Sequence, residues 1–172
     1  MAVYDTTKEV TATFTRPSDT TAYTANDVAN NSTSAPVIMN FANCARDNGG
    51  GGIILDVKMN DSANQSTVGS FELWLFHTTV TMDNDNAAFT PTDAEMLTVS
   101  VVIPLTSGQS YAGDDTSGAG GNRVYQTDQA NRPFLTASDD SDLYGILKVK
   151  NAYTPVSAEI FTITLKILED IR

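Results

Sequence analysis

With 172 residues, the chain has the length of one ordinary domain and can bury a core without disulfides or metals. Its 21 acidic and 10 basic residues give a net charge of −11, which repels nucleic-acid phosphates and anionic membrane surfaces. We therefore expect one domain over residues 1–172, with no nucleic-acid and no membrane partner, whose acidic surface keeps it in solution.

The cysteine count and the lengths of the apolar runs argue against a disulfide-bonded, a secreted and a membrane-spanning protein. Cys44 is the only cysteine, so no internal disulfide can form, and we expect a small, partly buried residue there and not a nucleophile. The sequence shows no basic segment followed by an apolar run at its start, and no run approaches the ~18 apolar residues of a membrane helix. The sequence predicts a soluble chain without a secretion signal of its own.

The first third of the chain predicts short strands joined by a polar excursion. Segment 8–16 alternates apolar and polar residues, as a strand with one wet face does. The polar stretch 20–31 follows a proline and has only two sizeable apolar groups, Tyr23 and Val28. We expect those two side chains to fasten an irregular excursion to the domain. Residues 37–41 then predict another short strand.

Two central strands, at residues 49–60 and 71–77, are expected to pair as antiparallel neighbours across a polar connection. The first has one apolar and one polar face. The second carries Trp74 and Phe76 on the face opposite to its other apolar residues, so both of its faces are apolar. We expect Trp74 and Phe76 to cover either a subunit contact or a second layer of the domain.

Four consecutive glycines, 49–52, open the first central strand. A phosphate-binding loop would need a Gly-Lys-Ser/Thr sequel and a strand before the glycines, and here the strand comes after them. These glycines more plausibly permit close approach of neighbouring backbones or subunits.

The run 83–86 places Asp83 and Asp85 alternately with asparagines. Oxygen ligands at alternate positions suit a hard cation such as calcium. However, the run lacks the glycine and the distal glutamate of a helix–loop–helix calcium site, and short Asp/Asn runs between strands are usually turns. Asp83 and Asp85 are therefore weak metal candidates, and we expect no cofactor.

The second half of the chain predicts one helical turn and further strands. Residues 89–95 can form a short helix capped by Thr92. The glycine- and aspartate-rich stretch 107–122 predicts a long exposed loop. Strands are expected at 97–103, 123–125, 134–136, 143–151 and 157–168.

Seven to nine strands with almost no helix are typical of an all-β fold, an antiparallel β-sandwich resembling a jelly roll. Catalysis is not expected, because the chain has one histidine, His77, and no nucleophile in a glycine-flanked elbow. A sugar-binding platform built from Trp74, Tyr111 and Tyr125 remains an alternative to the structural interpretation of Trp74.

Four segments stand out in order along the chain: residues 14–23 with 27–28, 41–43 leading into the glycines, 71–76 leading into 83–89, and 152–161. Together they resemble a widespread family of uncharacterised virion proteins of tailed bacteriophages. The chain departs from the family pattern mainly over 107–131, and no catalytic residue carries over.

The resemblance implies a structural component of a phage particle, made in the host cytoplasm and located in the virion. The leading hypothesis is a capsid decoration (cement) protein that binds the major capsid protein on the outside of the head and self-associates, as a homotrimer. Trp74 and Phe76 would then lie in a subunit or capsid interface. The alternative is a head- or tail-attached fibre or receptor-binding module that recognises a host surface glycan.

Overall fold

The computed structural model describes residues 7–63, 65, 67–107, 110–113, 122–127 and 130–169. These residues form eleven strands and one short helix. The elements are β1 (Thr7–Thr15), β2 (Val28–Ala29), β3 (Met39–Phe41), β4 (Gly51–Asp61), β5 (Phe71–Phe76), α1 (Asp93–Met96), β6 (Val99–Leu105), β7 (Ser110–Ala112), β8 (Arg123–Gln126), β9 (Arg132–Leu135), β10 (Leu143–Val149) and β11 (Ile160–Glu169).

Two antiparallel sheets pack against each other, which confirms the all-β sandwich. The first sheet has the order β1-β11-β4-β8-β7, and β9 also pairs with β4. The second has the order β2-β10-β5-β6, and β3 also pairs with β10. The strands beyond the expected seven to nine are very short, since β2 has two residues and β3 and β7 have three each.

The strand order is that of a jelly roll. We count β2 and β3 as one interrupted strand and set β7 and β9 aside. Eight strands then remain, in chain order β1, β2/β3, β4, β5, β6, β8, β10 and β11. The first sheet then holds the first, eighth, third and sixth of them, and the second sheet holds the second, seventh, fourth and fifth. Consecutive strands therefore lie in opposite sheets, except for β5 and β6, which pair in the second sheet, as in the double-sheet jelly-roll architecture.

The expected pairing of the two central strands is wrong. β4 lies between β11 and the β8 and β9 strands in the first sheet, whereas β5 lies between β10 and β6 in the second. Their apolar faces meet across the core, where Val57 and Met59 of β4 and Leu73 and Leu75 of β5 are fully buried. The polar connection that follows Asp61 is thus a crossover between sheets and not a hairpin turn.

Several local expectations are confirmed. Tyr23 and Val28 are almost fully buried and hold the excursion between β1 and β3 against the domain. Helix α1 begins after Thr92, whose side chain accepts a hydrogen bond from the Glu95 amide while the Glu95 carboxylate accepts one from the Thr92 amide. The backbone amides of Thr92 and Thr81 both donate to the Glu95 carboxylate and hold the pKa of that carboxyl group down, at about 2. Most of the predicted loop 107–122 lies outside the described residues.

The glycines allow a close approach of β9 and β11 to the start of β4. A Cβ atom on Gly51 would lie 2.5 Å from the Phe134 carbonyl oxygen. A Cβ atom on Gly52 would lie 2.5 Å from the Leu168 carbonyl oxygen and 3.1 Å from the Phe134 ring. The sequence-based interpretation of close backbone approach is therefore confirmed at these two positions.

Replacing Gly52 by alanine should lower the free energy of unfolding by roughly 1–3 kcal/mol, because the added methyl group meets backbone that cannot move without disturbing β11. Urea unfolding followed by tryptophan fluorescence measures the change. An unchanged unfolding midpoint would show that the strands can separate at this point without cost.

Candidate functional site

The outer face of β5, predicted to meet a partner or a second layer, is covered by this chain itself. The side chain of Phe76 has no solvent-exposed surface and packs with Val28 and Ile146. Val28 and Ile146 flank Phe76 on β2 and β10 of the same sheet, and Val80, Met82 and Phe89 pack over the three side chains. We call residues 80–89 the covering segment; the Val28 amide holds it to β2 by donating to the Ala87 carbonyl at 2.8 Å. Phe76 therefore lies inside a second apolar cluster and presents no surface to another subunit.

Trp74 is half-buried at the edge of the same cluster. Its ring lies 5.0 Å from the Phe89 ring, and the Lys148 ammonium lies 5.5 Å from its centroid. The indole Nε1–H donates a hydrogen bond to Glu72 at 3.1 Å. These contacts give Trp74 a role in packing the covering segment, and its place in a subunit interface stays a prediction.

Trp74→Ser should lower the free energy of unfolding by about 2 kcal/mol, roughly half the cost of removing a fully buried tryptophan. Tyr111→Ser is a matched control, because Tyr111 is 67% exposed and its loss should change stability by less than about 0.5 kcal/mol. Chemical denaturation compares the two, and equal losses would contradict the packing role. Solution scattering of the same samples tests whether Trp74→Ser also weakens self-association.

Asp85, one of the two metal candidates, is buried and engaged by protein donors. Arg16 Nη2 donates to one of its oxygens at 2.8 Å, and the Tyr23 hydroxyl donates to the other at 2.6 Å. The Asn30 amide also donates to that second oxygen at 2.8 Å. Arg16 and Asp85 are both almost fully buried, so this ion pair joins the end of β1 to the covering segment.

Asp83 does not share a site with Asp85. Its carboxylate accepts hydrogen bonds from the Thr90 amide and hydroxyl, at 2.8 and 2.9 Å, which closes a local turn. Among the residues that the structure describes, no group of three or more His, Cys, Asp or Glu side chains is arranged to hold a metal ion. The alternating acids therefore serve two separate structural contacts.

Asp85→Ala should cost roughly 3–5 kcal/mol of stability, because it leaves the Arg16 guanidinium charged and buried without its partner. Asp83→Ala removes an equally charged side chain from a more exposed turn and should cost only about 1 kcal/mol. Guanidinium denaturation of both variants gives the two values. If the two losses are the same, the buried ion pair is not what fastens the covering segment.

Cys44 and the residues of the predicted sugar platform do not lie together in one site. Cys44 is fully buried, its Sγ lies 3.1 Å from the Phe41 carbonyl oxygen, and burial raises its thiol pKa to about 12. Tyr125 is buried, with its hydroxyl donating to the Gly69 carbonyl at 3.0 Å, whereas Tyr111 is exposed. The proposed sugar platform of Trp74, Tyr111 and Tyr125 is therefore not assembled as a single surface.

An apolar surface that the sequence did not single out lies around β9. Leu135 is 62% exposed and Ile53 is 37% exposed. A groove of about 480 Å³ lies on one side of Leu135 and a groove of about 630 Å³ on the other, volumes within the usual range of binding clefts. We call this the Leu135 surface; it is lined by Gly51, Gly52, Ile53, Phe134, Leu135, Leu168 and Glu169 on one side, and by His77, Val99, Ser100 and residues 133–138 on the other.

The Leu135 surface follows from the close packing of β9 on β4. The glycines bring β9 against the start of β4, Phe134 turns into the core, and its neighbour Leu135 points outward. The Ser100 hydroxyl donates to the Leu135 carbonyl at 3.3 Å and links β9 to β6 of the opposite sheet. The only signal in the sequence was a leucine at a polar-facing position of a short strand, which is too common to mark a site.

Electrostatically, the surface is almost neutral although the whole chain carries a charge of −11. Among its described lining residues only Glu169 is a carboxylate, and Glu169 forms ion pairs with Lys8 and, at 4.0 Å, with Arg46. Such a surface can be dehydrated at a low cost, which suits contact with another macromolecule.

Comparison with known proteins gives no family. No protein-family model matches the chain, and no curated protein matches it. The resemblance to tailed-phage virion proteins therefore stays a prediction. Within the described part of the chain, no helix is long and apolar enough to cross a membrane.

Proposed function

We propose that this chain is a structural protein of a phage virion, a capsid decoration protein that binds the major capsid protein on the outside of the head. The observation that carries this proposal is the Leu135 surface, an exposed, nearly uncharged apolar patch on a rigid jelly roll. Jelly rolls are found in viral capsid domains and also in lectin domains, so the fold supports the class of protein but does not by itself choose the partner.

The position of the Leu135 surface on paired strands supports the same proposal. A decoration protein must resist deformation when the shell is under internal pressure, and its binding surface should therefore rest on sheet structure. Leu135 and Ile53 lie on the paired strands β9 and β4, and at Gly51 and Gly52 of β4 the neighbouring backbones leave no room for a Cβ atom. The covering segment is likewise fixed by the buried Arg16–Asp85 pair.

Self-association, as a homotrimer, is part of the proposal. Since Phe76 lies inside the monomer, Phe76 does not supply the subunit contact expected for it. In the proposed particle, the Leu135 surface contacts the shell, and Trp74, at the rim of the covered face, is the remaining candidate for the contact between copies.

Binding to emptied or undecorated heads tests the role of the Leu135 surface. Leu135→Ser should weaken co-sedimentation with the heads at least tenfold, the size of effect expected at the centre of an interface. Val156→Ser is the matched control, because Val156 is 48% exposed and precedes the start of β11, whereas the Leu135 surface lies beside the last residues of that strand, and its replacement should leave binding unchanged. Equal binding by the wild type and both variants would remove this surface from the shell contact.

The second candidate function is a receptor-binding module that recognises a host glycan. It is favoured by one observation: the exposed Tyr111 lies on the outer face of the first sheet in one row with Val124, Asn60, Thr162 and Thr13. An aromatic ring beside hydroxyl and amide groups suits neutral sugars. Tyr111→Ala would then abolish binding to host cell-wall glycans and leave binding to heads intact, whereas a decoration protein shows the reverse pattern for Leu135→Ser.

A further inference from the structure

Two acidic side chains are buried together at one end of the sandwich. Asp61 is the last residue of β4, and Glu159 directly precedes β11, the neighbour of β4 in the first sheet. Each residue is only 1% exposed. The two residues lie side by side, because their chain neighbours Ser62 and Ile160 hydrogen-bond to each other, and each carboxyl group shifts the pKa of the other. Two ionised carboxylates in contact and out of water repel each other strongly, so this arrangement requires a proton.

The hydrogen bonds around the pair are consistent with one shared proton. Asp61 accepts from the Ala63 amide at 2.9 Å, and one Glu159 oxygen accepts from the Gln65 side-chain amide. The second Glu159 oxygen is buried and has no hydrogen-bond partner among the described residues. A protonated Asp61 can donate a hydrogen bond to the Glu159 carboxylate. An ionised Asp61 could only accept hydrogen bonds, and the Glu159 oxygen would then still lack a donor.

The ionisable groups that face the pair come from several elements. Arg16 at the end of β1 is committed to Asp85 and Tyr23, and Arg123 on β8 offsets part of the negative charge near Asp61. Tyr125 and Tyr153 also face the pair and add no positive charge. Burial, and then the neighbouring Glu159, raise the pKa of Asp61 to about 9, and burial also raises the pKa of Glu159.

The pair also fastens the crossover between the two sheets. The Ser62 amide donates to the Ile160 carbonyl at 2.9 Å, and the Ile160 amide donates to the Ser62 hydroxyl at 2.8 Å. Together with the Gln65–Glu159 bond, these contacts hold the first residues after β4 against the start of β11. Charging both carboxyl groups would push these two segments apart.

We propose that Asp61 and Glu159 together hold one proton at neutral pH, and that its loss in alkaline solution loosens the crossover from β4 to β5. The pair is thus a proton-binding site that couples pH to the attachment between sheets. It is independent of the capsid or glycan role, since neither the Leu135 surface nor Tyr111 takes part in it.

The sign of the pH dependence follows from the retained proton. In the unfolded chain Asp61 releases its proton near the ordinary value of about 4, whereas the folded chain keeps it until pH rises through the folded pKa. The stabilising contribution is therefore complete below about pH 4 and falls as the solution becomes more alkaline. One proton lost only on unfolding raises the unfolding equilibrium constant by up to tenfold for each pH unit in this range.

The test measures the unfolding equilibrium by urea denaturation between about pH 5.5 and 8.5, where ordinary carboxyl groups are already ionised. The wild type should show a rise in the unfolding constant approaching tenfold per pH unit. Asp61→Asn, which keeps a donor for Glu159 without a titrating group, should lose this rise. Asp47→Asn, which removes the same charge from an exposed position, should keep it.

Two results would overturn the proposal: a wild-type unfolding constant that is flat over this range, or the same rise in Asp61→Asn as in the wild type. If Asp61→Asn does not fold, infrared absorption of the wild type decides the matter. A carboxylic acid band present at pH 7 and lost above pH 9 supports the shared proton, and its absence at pH 7 refutes it. Amide exchange gives the structural readout, with protection at Ser62 and Ala63 expected to fall over the same alkaline range.

Discussion

The buried ion pair between Arg16 and Asp85 is the contact on which the arrangement of this jelly roll depends. It ties the end of the first strand to a segment that crosses the outer face of the second sheet, and that segment covers Phe76. Because a lone buried charge is costly, the two sides must be assembled together. The domain therefore has a third, thin apolar layer, and the aromatic face of β5 belongs to the monomer.

The sequence predicted the fold class because alternation of apolar and polar residues marks which side of a strand meets the core. It also showed correctly that β5 is apolar on both faces. Alternation does not specify which strand lies beside which, so β4 and β5 were expected to pair although they lie in opposite sheets. Nor could it show whether Phe76 would be covered by a partner or by Val80, Met82 and Phe89 of the same chain.

The contacts of the acidic candidates could not be predicted from the sequence for a related reason. Asp85 is 69 positions from Arg16 in the chain, so nothing near the Asp/Asn run indicated that its carboxylate was already occupied. Asp61 and Glu159 are similarly distant from each other in the chain, and nothing in the residues around either one distinguishes it from an ordinary surface acid. Leu135 became notable only when the glycines were seen to bring β9 onto β4. Long-range pairing, and not residue type, determines each of these sites.

We propose that the Leu135 surface joins this jelly roll to the outside of a phage head. A reconstruction of the intact particle would show where the domain lies. We expect copies of this domain distributed over the shell, with Leu135 and Ile53 buried against the major capsid protein. Copies confined to the tail or to a unique vertex, or shell-bound copies whose Leu135 faces solvent, would contradict it.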